Sequence, residues 1–190
     1  YNTYNAPVVQ CATGAILPDR GDTMSLLSVR VYPDPSLRKP AAEVTVFDRD
    51  LNTFIRDLWE TMLAFDGVGL AATQVAVDLR VSVISWKENR LILVNPRIVQ
   101  AEGEQLGDEG CLSFPGIFEK IHRPQKVRVE AQDADGKPFS IEAEGFLARA
   151  LCHEIDHLDG RLMIDHLSPL KREIVRKKLL RRAREERNNP

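Results

Sequence analysis

The clearest pattern of apolar and polar positions begins near residue 48 and predicts a helix. Apolar side chains recur about one turn apart on a single face, at Leu51, Phe54, Ile55, Leu58, Trp59, Met62 and Leu63. Asp48 or Asp50 can cap the first turn, and Asp66-Gly67 ends the pattern. We therefore expect an amphipathic helix that turns this face to the core.

Further along the chain the pattern predicts strands. Residues 79–85 and 91–94 are short apolar runs typical of buried strands, and Asn95-Pro96 is expected to stop the second one. Residues 126–132 and 139–143 alternate between apolar and polar on either side of an Asp-Gly turn, which predicts a hairpin.

A second helix is predicted over residues 145–159, where helical spacing returns and Gly160 is placed to terminate it. Strands therefore stand before and between two helices, without regular βαβ alternation. This order predicts an α+β domain over about 25–170.

The composition fits a soluble globular protein and excludes several other classes. Of the 190 residues, 43% are hydrophobic and 28% are charged, which is too apolar for a disordered chain. No apolar run approaches the roughly 18–20 residues that span a bilayer. The three cysteines, Cys11, Cys111 and Cys152, are odd in number and far apart, which argues against a disulfide framework.

The sequence HEIDH at 153–157 is the strongest chemical signal. On a helix, residues four apart lie on one face, so the imidazoles of His153 and His157 can reach one metal ion. Glu154 lies beside the first of them, where a carboxylate can exchange protons with water. Two buried histidines with a structural role are the alternative.

A third ligand decides which kind of metal site this is. A metzincin requires a ligand six residues after the second His, but Met163 stands there. Cys111, in EGCLS at 109–113, is a better candidate, because one Cys and two His leave a fourth position open, as in catalytic zinc sites. Two alternatives remain: an endopeptidase with Glu173 as third ligand, and a closed structural site completed by a residue such as His166.

Residues 67–74, GVGLAATQ, superficially match a dinucleotide-binding fingerprint. That fingerprint follows a strand, whereas this segment follows the first predicted helix, so we reject a dinucleotide site. The two glycines instead allow an extended peptide to approach closely. The Gln74 amide can donate a hydrogen bond to a carbonyl without adding charge.

Taken together, GVGLAATQ, EGCLS and HEIDH closely resemble the three signature motifs of the peptide deformylase family. The resemblance runs from about residue 29 to 170. Phe114-Pro115-Gly116 and Arg149 look like the bacterial and organellar type 1B. The family fold has small antiparallel or mixed sheets around a central metal-binding helix, and we expect that fold here.

The resemblance implies an enzyme that removes the formyl group from the N-terminal formyl-methionine of new polypeptides and releases formate. It implies that Cys111, His153 and His157 bind a divalent metal, typically Fe²⁺, with Zn²⁺, Ni²⁺ or Co²⁺ as replacements. Glu154 would be the acid–base residue. The Gln74 amide and the Leu112 backbone N–H would hold the developing oxyanion.

The resemblance also implies how substrate binds. Val68, Gly69 and Gly110 would pair with the substrate backbone, and Phe146, Arg149 and Ala150 match positions that line the methionine pocket. Arg149 is polar for such a pocket, and it can instead contact residues beyond the first. Glu109 and Arg123 match an ion pair that braces the Cys111 turn, with two unrelated surface charges as the alternative.

Residues 1–24 have no counterpart in the family and show no periodic pattern, so they are expected to form a flexible N-terminal extension. We hypothesise that Met24 is the natural start, with a trimmed transit peptide as the alternative. Proteins that begin with formyl-methionine are made in bacteria and organelles. We therefore expect a cytoplasmic bacterial protein, with an organellar one as the alternative. We expect no membrane association.

The net charge of -2 at first argues against a nucleic-acid partner, but the charge is unevenly spread. Residues 171–187 hold nine basic and three acidic residues, a formal +6, which leaves -8 for the remainder. An apolar stripe in this segment predicts a basic C-terminal helix over 171–190 that docks by its apolar side. Because the substrates emerge from the ribosome, this helix is also a candidate for contact with ribosomal RNA.

Overall fold

The first long helix forms where the pattern predicts it. In the computed structural model, which describes residues 26–188, helix α1 spans Arg49–Ala64 and the Asp48 carboxylate caps it by accepting from the Leu51 N–H at 2.9 Å. Its buried face carries Leu51, Ile55, Leu58, Trp59 and Met62. Leu63 was expected on that face and is exposed instead, because it lies at the edge of the apolar stripe.

Among residues 26–188, seven strands form two antiparallel sheets. The larger has the order β1-β2-β3-β6-β7, and the smaller is the β4-β5 pair. The strands are β1 (Gly69–Ala71), β2 (Val81–Trp86), β3 (Asn89–Glu102), β4 (Gln105–Gly110), β5 (Phe118–Arg123), β6 (Lys126–Gln132) and β7 (Pro138–Glu144). The predicted hairpin is β6-β7, whereas β1, β4 and β5 have no clear sequence pattern.

Strand β3 is predicted to stop at Asn95-Pro96, but it continues past this pair to Glu102. Asn95 takes a left-handed backbone conformation (φ 52°), and the pairing with β6 shifts register between Val94 and Arg97. The Asn95 side chain bonds to both the N–H and the carbonyl of Val44, at 2.8 and 2.9 Å. This bulge accommodates the proline, and the strand resumes pairing beyond it.

Helix α2 (Gly145–Leu158) lies on the opposite face of the large sheet from α1. Alternate residues of β2 and β3 belong to two separate apolar clusters, one packed with α1 and the other with α2. Because successive strand residues point to opposite faces, the sheet must lie between the two helices. The α1 side holds Val81, Val83, Ile92 and Val94, and the α2 side holds Ile84, Leu91 and Leu93. The structure confirms the predicted α+β fold.

Helix α3 (Pro169–Asn188) packs on the segment that follows β4. Its Val175 and Leu179 are buried in a cluster with Phe114 and Ile117, and the Arg182 Nη1 donates to the Pro115 carbonyl at 2.7 Å. Ile174, expected in the apolar stripe, is exposed. None of the helices within residues 26–188 has the length and apolar character needed to cross a bilayer. The expectations for residues 1–24 lie outside the described part of the chain, and the division at residues 24 and 170 stays a prediction.

Gly160, which ends α2, is expected to be intolerant of substitution. Its φ is 70°, and a Cβ there would lie 2.5 Å from the carbonyl oxygen of Arg38. We expect Gly160→Ala to lower the free energy of unfolding by at least about 2 kcal/mol, because the left-handed strain and the backbone clash act together.

Equilibrium urea unfolding measures this effect, with Gly145→Ala as the matched control. Gly145 has a similar φ of 57°, but a Cβ there meets no atom within 4 Å. The control should therefore show only the left-handed strain, about 1 kcal/mol. Equal losses in the two variants would mean that the contact with Arg38 is unimportant.

Candidate metal centre

The two histidines of α2 and Cys111 meet at one point. Cys111 follows directly after β4, and one ligand atom from each of Cys111, His153 and His157 lies within 4.8 Å of the others. The Cys111 Sγ is 3.2 Å from the His157 Nε2. Both histidines are buried and the cysteine is half-buried. A thiolate and two imidazoles are donors that suit divalent transition metals, so these residues fit a metal site.

Glu109 fixes the orientation of His153. The His153 Nδ1 lies 2.9 Å from the Glu109 Oε2, which leaves Nε2 free to face a metal. Burial alone would raise the pKa of Glu109, but hydrogen bonds from His153 and Arg123 hold that pKa well below its usual range. The ionised carboxylate then selects the imidazole tautomer with the proton on Nδ1.

Arg123 and Arg149 both bond to this carboxylate. The Arg123 Nε donates to the Glu109 Oε1 at 2.8 Å, and the Arg149 Nη1 donates to the same oxygen at 2.9 Å. All three side chains are almost fully buried. The predicted pairing of Glu109 with Arg123 is confirmed, and it is a buried pair rather than two surface charges.

Glu154 is buried beside the metal ligands with an unsatisfied oxygen. Its Oε2 has no hydrogen-bond partner among residues 26–188, and the residue is 4% exposed. Burial raises the pKa of Glu154 to about 7. A carboxyl group with this pKa can accept and return a proton near neutral pH.

The side-chain amide nitrogen of Gln74 is held beside Cys111. Its Oε1 accepts from the Ala71 N–H at 2.9 Å, and its Nε2 lies 3.5 Å from the Cys111 Sγ and 3.1 Å from the Ser113 Oγ. The backbone N–H of Leu112 donates to no other residue in the described part of the chain. Two neutral donors therefore flank the cysteine.

The predicted backbone-pairing residues lie on or beside edge strands. Strand β1, with Gly69, is an edge strand of the large sheet, and β4 ends with Gly110 next to Cys111. A Cβ built on Gly69 would lie 2.2 Å from the Glu154 Oε1, so Glu154 packs directly against the face of β1 at this glycine. Val68 precedes β1, and its carbonyl accepts from the Ser85 N–H at 2.7 Å.

The three residues expected in the methionine pocket are on the first turns of α2. Phe146 is half-exposed, with its ring centroid 4.1 Å from that of Trp86, and Ala150 is buried. The guanidinium of Arg149 turns to Glu109 and to the carbonyl of Ile121, so only its methylene stem is left to line a pocket. Trp86 is a neighbour that the sequence does not reveal, because nothing links its position to residue 146 before the strands are paired.

Neither alternative ligand joins the cluster. Glu173 lies on α3, where it pairs with Arg176 at 3.2 Å and with Lys177. His166 instead contacts Asp156, at 2.7 Å from its Oδ2, and Arg123. Within residues 26–188 the metal-ligand group contains only Cys111, His153 and His157. The endopeptidase and closed-site hypotheses are therefore wrong in their choice of ligands.

Comparison with known proteins decides the family. The family model described as polypeptide deformylase matches residues 26–173. The chain belongs to the polypeptide deformylase family. It is 46% identical to the peptide deformylase of Alkalilimnicola ehrlichii over 170 residues, which cover 87% of this chain and 96% of that protein.

Solved deformylase structures share its fold. A peptide deformylase from Legionella pneumophila has a TM-score of 0.82 and 46% identity, with 87% of this chain and all of that chain covered. Peptide deformylase 1B of Arabidopsis thaliana has a TM-score of 0.78 and 34% identity, with 86% and 95% covered. Deformylases are metal-dependent hydrolases, which agrees with the Cys-His-His cluster.

Proposed function

We propose that this deformylase hydrolyses the formyl group of N-terminal formyl-methionine at the Cys111-His153-His157 centre and releases formate. Membership of the deformylase family is the evidence for this reaction. The observation that supports this location is the buried Glu154 carboxylate, whose Oε2 lacks a partner beside the metal ligands within the described residues. A buried, unpaired carboxylate is costly, and such groups are typical of sites that act on a ligand.

Cys111, His153 and His157 would hold one divalent metal, and we propose Fe²⁺ in the cell. The two histidines lie on a rigid helix, and Glu109 orients the first of them. Such a cation supplies a Lewis acid that polarises a carbonyl and makes water more acidic. The donor set also suits Zn²⁺, Ni²⁺ and Co²⁺.

The chain's own groups then act on the substrate. We assign Glu154 to take a proton from the attacking water and to return it to the leaving amine, a task that suits its pKa of about 7. The Gln74 Nε2 and the Leu112 N–H would donate to the formyl oxygen as its charge grows. One such donor is typically worth about 3 kcal/mol of transition-state stabilisation.

The open edges of β1 and β4 would position the substrate. We propose that an extended N-terminal segment pairs with Val68, Gly69 and Gly110, as an added strand does in other peptide-binding sites. Phe146 and Ala150, with the stem of Arg149, would border the methionine side chain. The partners are therefore nascent formyl-methionine polypeptides.

The direct test is formate release from formyl-Met-Ala-Ser by protein purified anaerobically with Fe²⁺. We expect release that a chelator abolishes and that Fe²⁺ restores. Metal-loaded, folded protein that releases no formate would contradict the proposed function.

Gly69→Ala is expected to lower the rate of formate release by about a hundredfold or more. The added methyl group would overlap the Glu154 carboxylate, whose Oε1, Cδ and Cγ lie 2.2, 2.7 and 2.9 Å from the Cβ position. Misplacing a reacting group by about 1 Å costs on this order. Steady-state kinetics in the wild-type and Glu154→Ala backgrounds test the cause. A further loss of the same size in the Glu154→Ala background would show that Gly69 acts in another way.

We also propose the 1B subtype and a cytoplasmic location in a bacterium, with an organelle as the alternative. Phe114-Pro115-Gly116 and Arg149 support the subtype. Two relatives, with sequence identities of 46% and 44%, are bacterial deformylases, which supports the location.

A further proposal is that the basic residues of α3 hold the enzyme to ribosomal RNA. Arg176, Lys177, Lys178 and Arg181 are exposed, whereas Val175 and Leu179 dock the helix. Deleting 171–190 would also uncover Phe114 near Cys111, so substitution of the charges is the sharper experiment.

We expect K177Q/K178Q/R181Q to weaken cosedimentation with ribosomes at low salt and to leave hydrolysis of formyl-Met-Ala-Ser unchanged. For every phosphate that is no longer neutralised, the slope of the salt dependence of binding should fall by about one unit. The control is K87Q/R128Q/K137Q, which removes the same charge from exposed positions elsewhere. Equal cosedimentation of both variants would exclude the role of α3.

A further inference from the structure

Arg149 links the helix that carries the histidine ligands to the strands that precede the cysteine ligand. Its Nη1 donates to the Glu109 Oε1 and to the Ile121 carbonyl, each at 2.9 Å, and its Nη2 lies 3.4 Å from the Gln105 Oε1. Gln105 and Glu109 are on β4, and Ile121 is on β5. One buried guanidinium on α2 therefore bonds to both strands of the small sheet.

We propose that Arg149 is a positioning residue for the metal site, which sets the spacing between Cys111, at the end of β4, and His153 and His157 on α2. This inference rests on the proposed metal site but not on the identity of the substrate.

The position of Arg149 on α2 supports the proposal. It precedes His153 by four residues, so both side chains leave the same face of the helix. Both end on one carboxylate, because Arg149 bonds to the Glu109 Oε1 and His153 to the Oε2. Loss of the Arg149 contact would therefore let Glu109 shift relative to His153, which bonds its other oxygen.

Arg123 does not make Arg149 redundant. It extends from β5, bonds to both oxygens of Glu109 at 2.8 and 3.1 Å, and also donates from its Nη1 to the Asp156 Oδ2 on α2. Its contact with α2 is therefore three residues after His153, whereas Arg149 contacts β4 and β5 from four residues before His153. The two arginines hold different turns of α2 against the small sheet.

Strand β4 is shaped to receive this guanidinium. A Cβ built on Gly107 would lie 3.0 Å from the Arg149 Nη2 and 3.2 Å from its Cζ. Gly107 faces Ile121 in the strand pairing, and Ile121 supplies the carbonyl that Arg149 bonds. A side chain at position 107 would force the guanidinium to shift by a few tenths of an ångström from the strands it bonds.

Metal binding by Arg149→Met and Arg149→Lys tests the proposal, with Arg128→Met as a control at an exposed arginine. The Ni²⁺ dissociation constant is measured by chelator competition on metal-free protein whose fold is checked by circular dichroism. We expect Arg149→Met to weaken binding at least tenfold, the usual effect of removing a residue that orients a ligand, and Arg149→Lys to recover part of the loss. Arg128→Met should bind as the wild type does.

Gly107→Ala keeps the arginine and its charge but displaces it, so it serves where Arg149→Met fails to fold. It should weaken Ni²⁺ binding in the same direction and by a smaller factor. Unchanged Ni²⁺ affinity in the folded variants overturns the proposal. A rise in KM alone would then place Arg149 in the substrate pocket, and a fall in the melting temperature alone would give it a purely structural role. A wild-type protein that binds Ni²⁺ but releases no formate would instead refute the proposed function alone.

Discussion

Replacing Glu154 by Gln is expected to lower the rate of formate release by about two to four powers of ten, the usual contribution of a general base. Glutamine has nearly the same shape but cannot accept and return a proton. Glu154 has no hydrogen bond to its Oε2 among residues 26–188, so the substitution breaks no bond at that oxygen. We expect the fold and the metal content to be retained.

Steady-state kinetics, metal analysis and circular dichroism on the same preparations check this expectation. The matched control is Glu142→Gln on the exposed surface of β7, which makes the same chemical change far from the ligands. The loss should appear in kcat rather than in KM, because the proton transfer belongs to the reaction and not to binding. A folded, metal-loaded Glu154→Gln enzyme with wild-type kcat would remove Glu154 from the mechanism.

The metal ligands are predictable because the sequence carries their geometry. His153 and His157 are four residues apart on a helix whose periodic pattern is visible without any structure. Cys111 follows by a different route, since Met163 stands where a metzincin has its third ligand, and Glu173 is surrounded in sequence by Lys and Arg, a poor place to bury a ligand. The structure brings the cysteine and both histidines together.

The parts that could not be predicted depend on pairing between distant segments. Strands β4 and β5 contain two glycines and many charged residues, and their outer faces are exposed, so they show no apolar alternation strong enough to predict a strand. Without that pairing, nothing in the sequence indicates that Arg149 reaches Glu109 and Ile121. The expectation of a pocket role for Arg149 comes from its position in the family motif, which does not show where a long side chain ends.

Strand β3 illustrates a different limit. Asn95-Pro96 is a strong local stop signal, and locally it does break the pairing. Beyond it the strand pairs with β6 again, while the Asn95 side chain bonds to Val44, a residue 51 positions earlier. The local break is as predicted, but the partners of Asn95 and of the resumed strand are distant in sequence, so the local signal cannot show that the strand goes on.

Cys111→Ala is expected to abolish stoichiometric metal binding and, with it, formate release. It removes the only sulfur ligand of the cluster found among the described residues and leaves two imidazoles, which hold a divalent ion far more weakly. Because Cys111 lies half-buried after β4, the smaller side chain should leave the fold intact.

Cys152→Ala is the matched control for this change, since Cys152 is next to His153 on α2 but is not in the ligand group. Burial raises the pKa of the Cys152 thiol to about 11, so this thiol stays protonated and is a poor ligand. Metal analysis after dialysis should therefore find about one ion per chain in Cys152→Ala and almost none in Cys111→Ala. Retained metal in Cys111→Ala would exclude the Cys-His-His centre. Loss of metal in both variants would mean that α2 does not tolerate the replacement of Cys152, so that the loss in Cys111→Ala could not be assigned to a missing ligand. Since the two variants remove the same side chain from different positions, a loss confined to Cys111→Ala would show that the place of Cys111 beside the two histidines makes it the ligand.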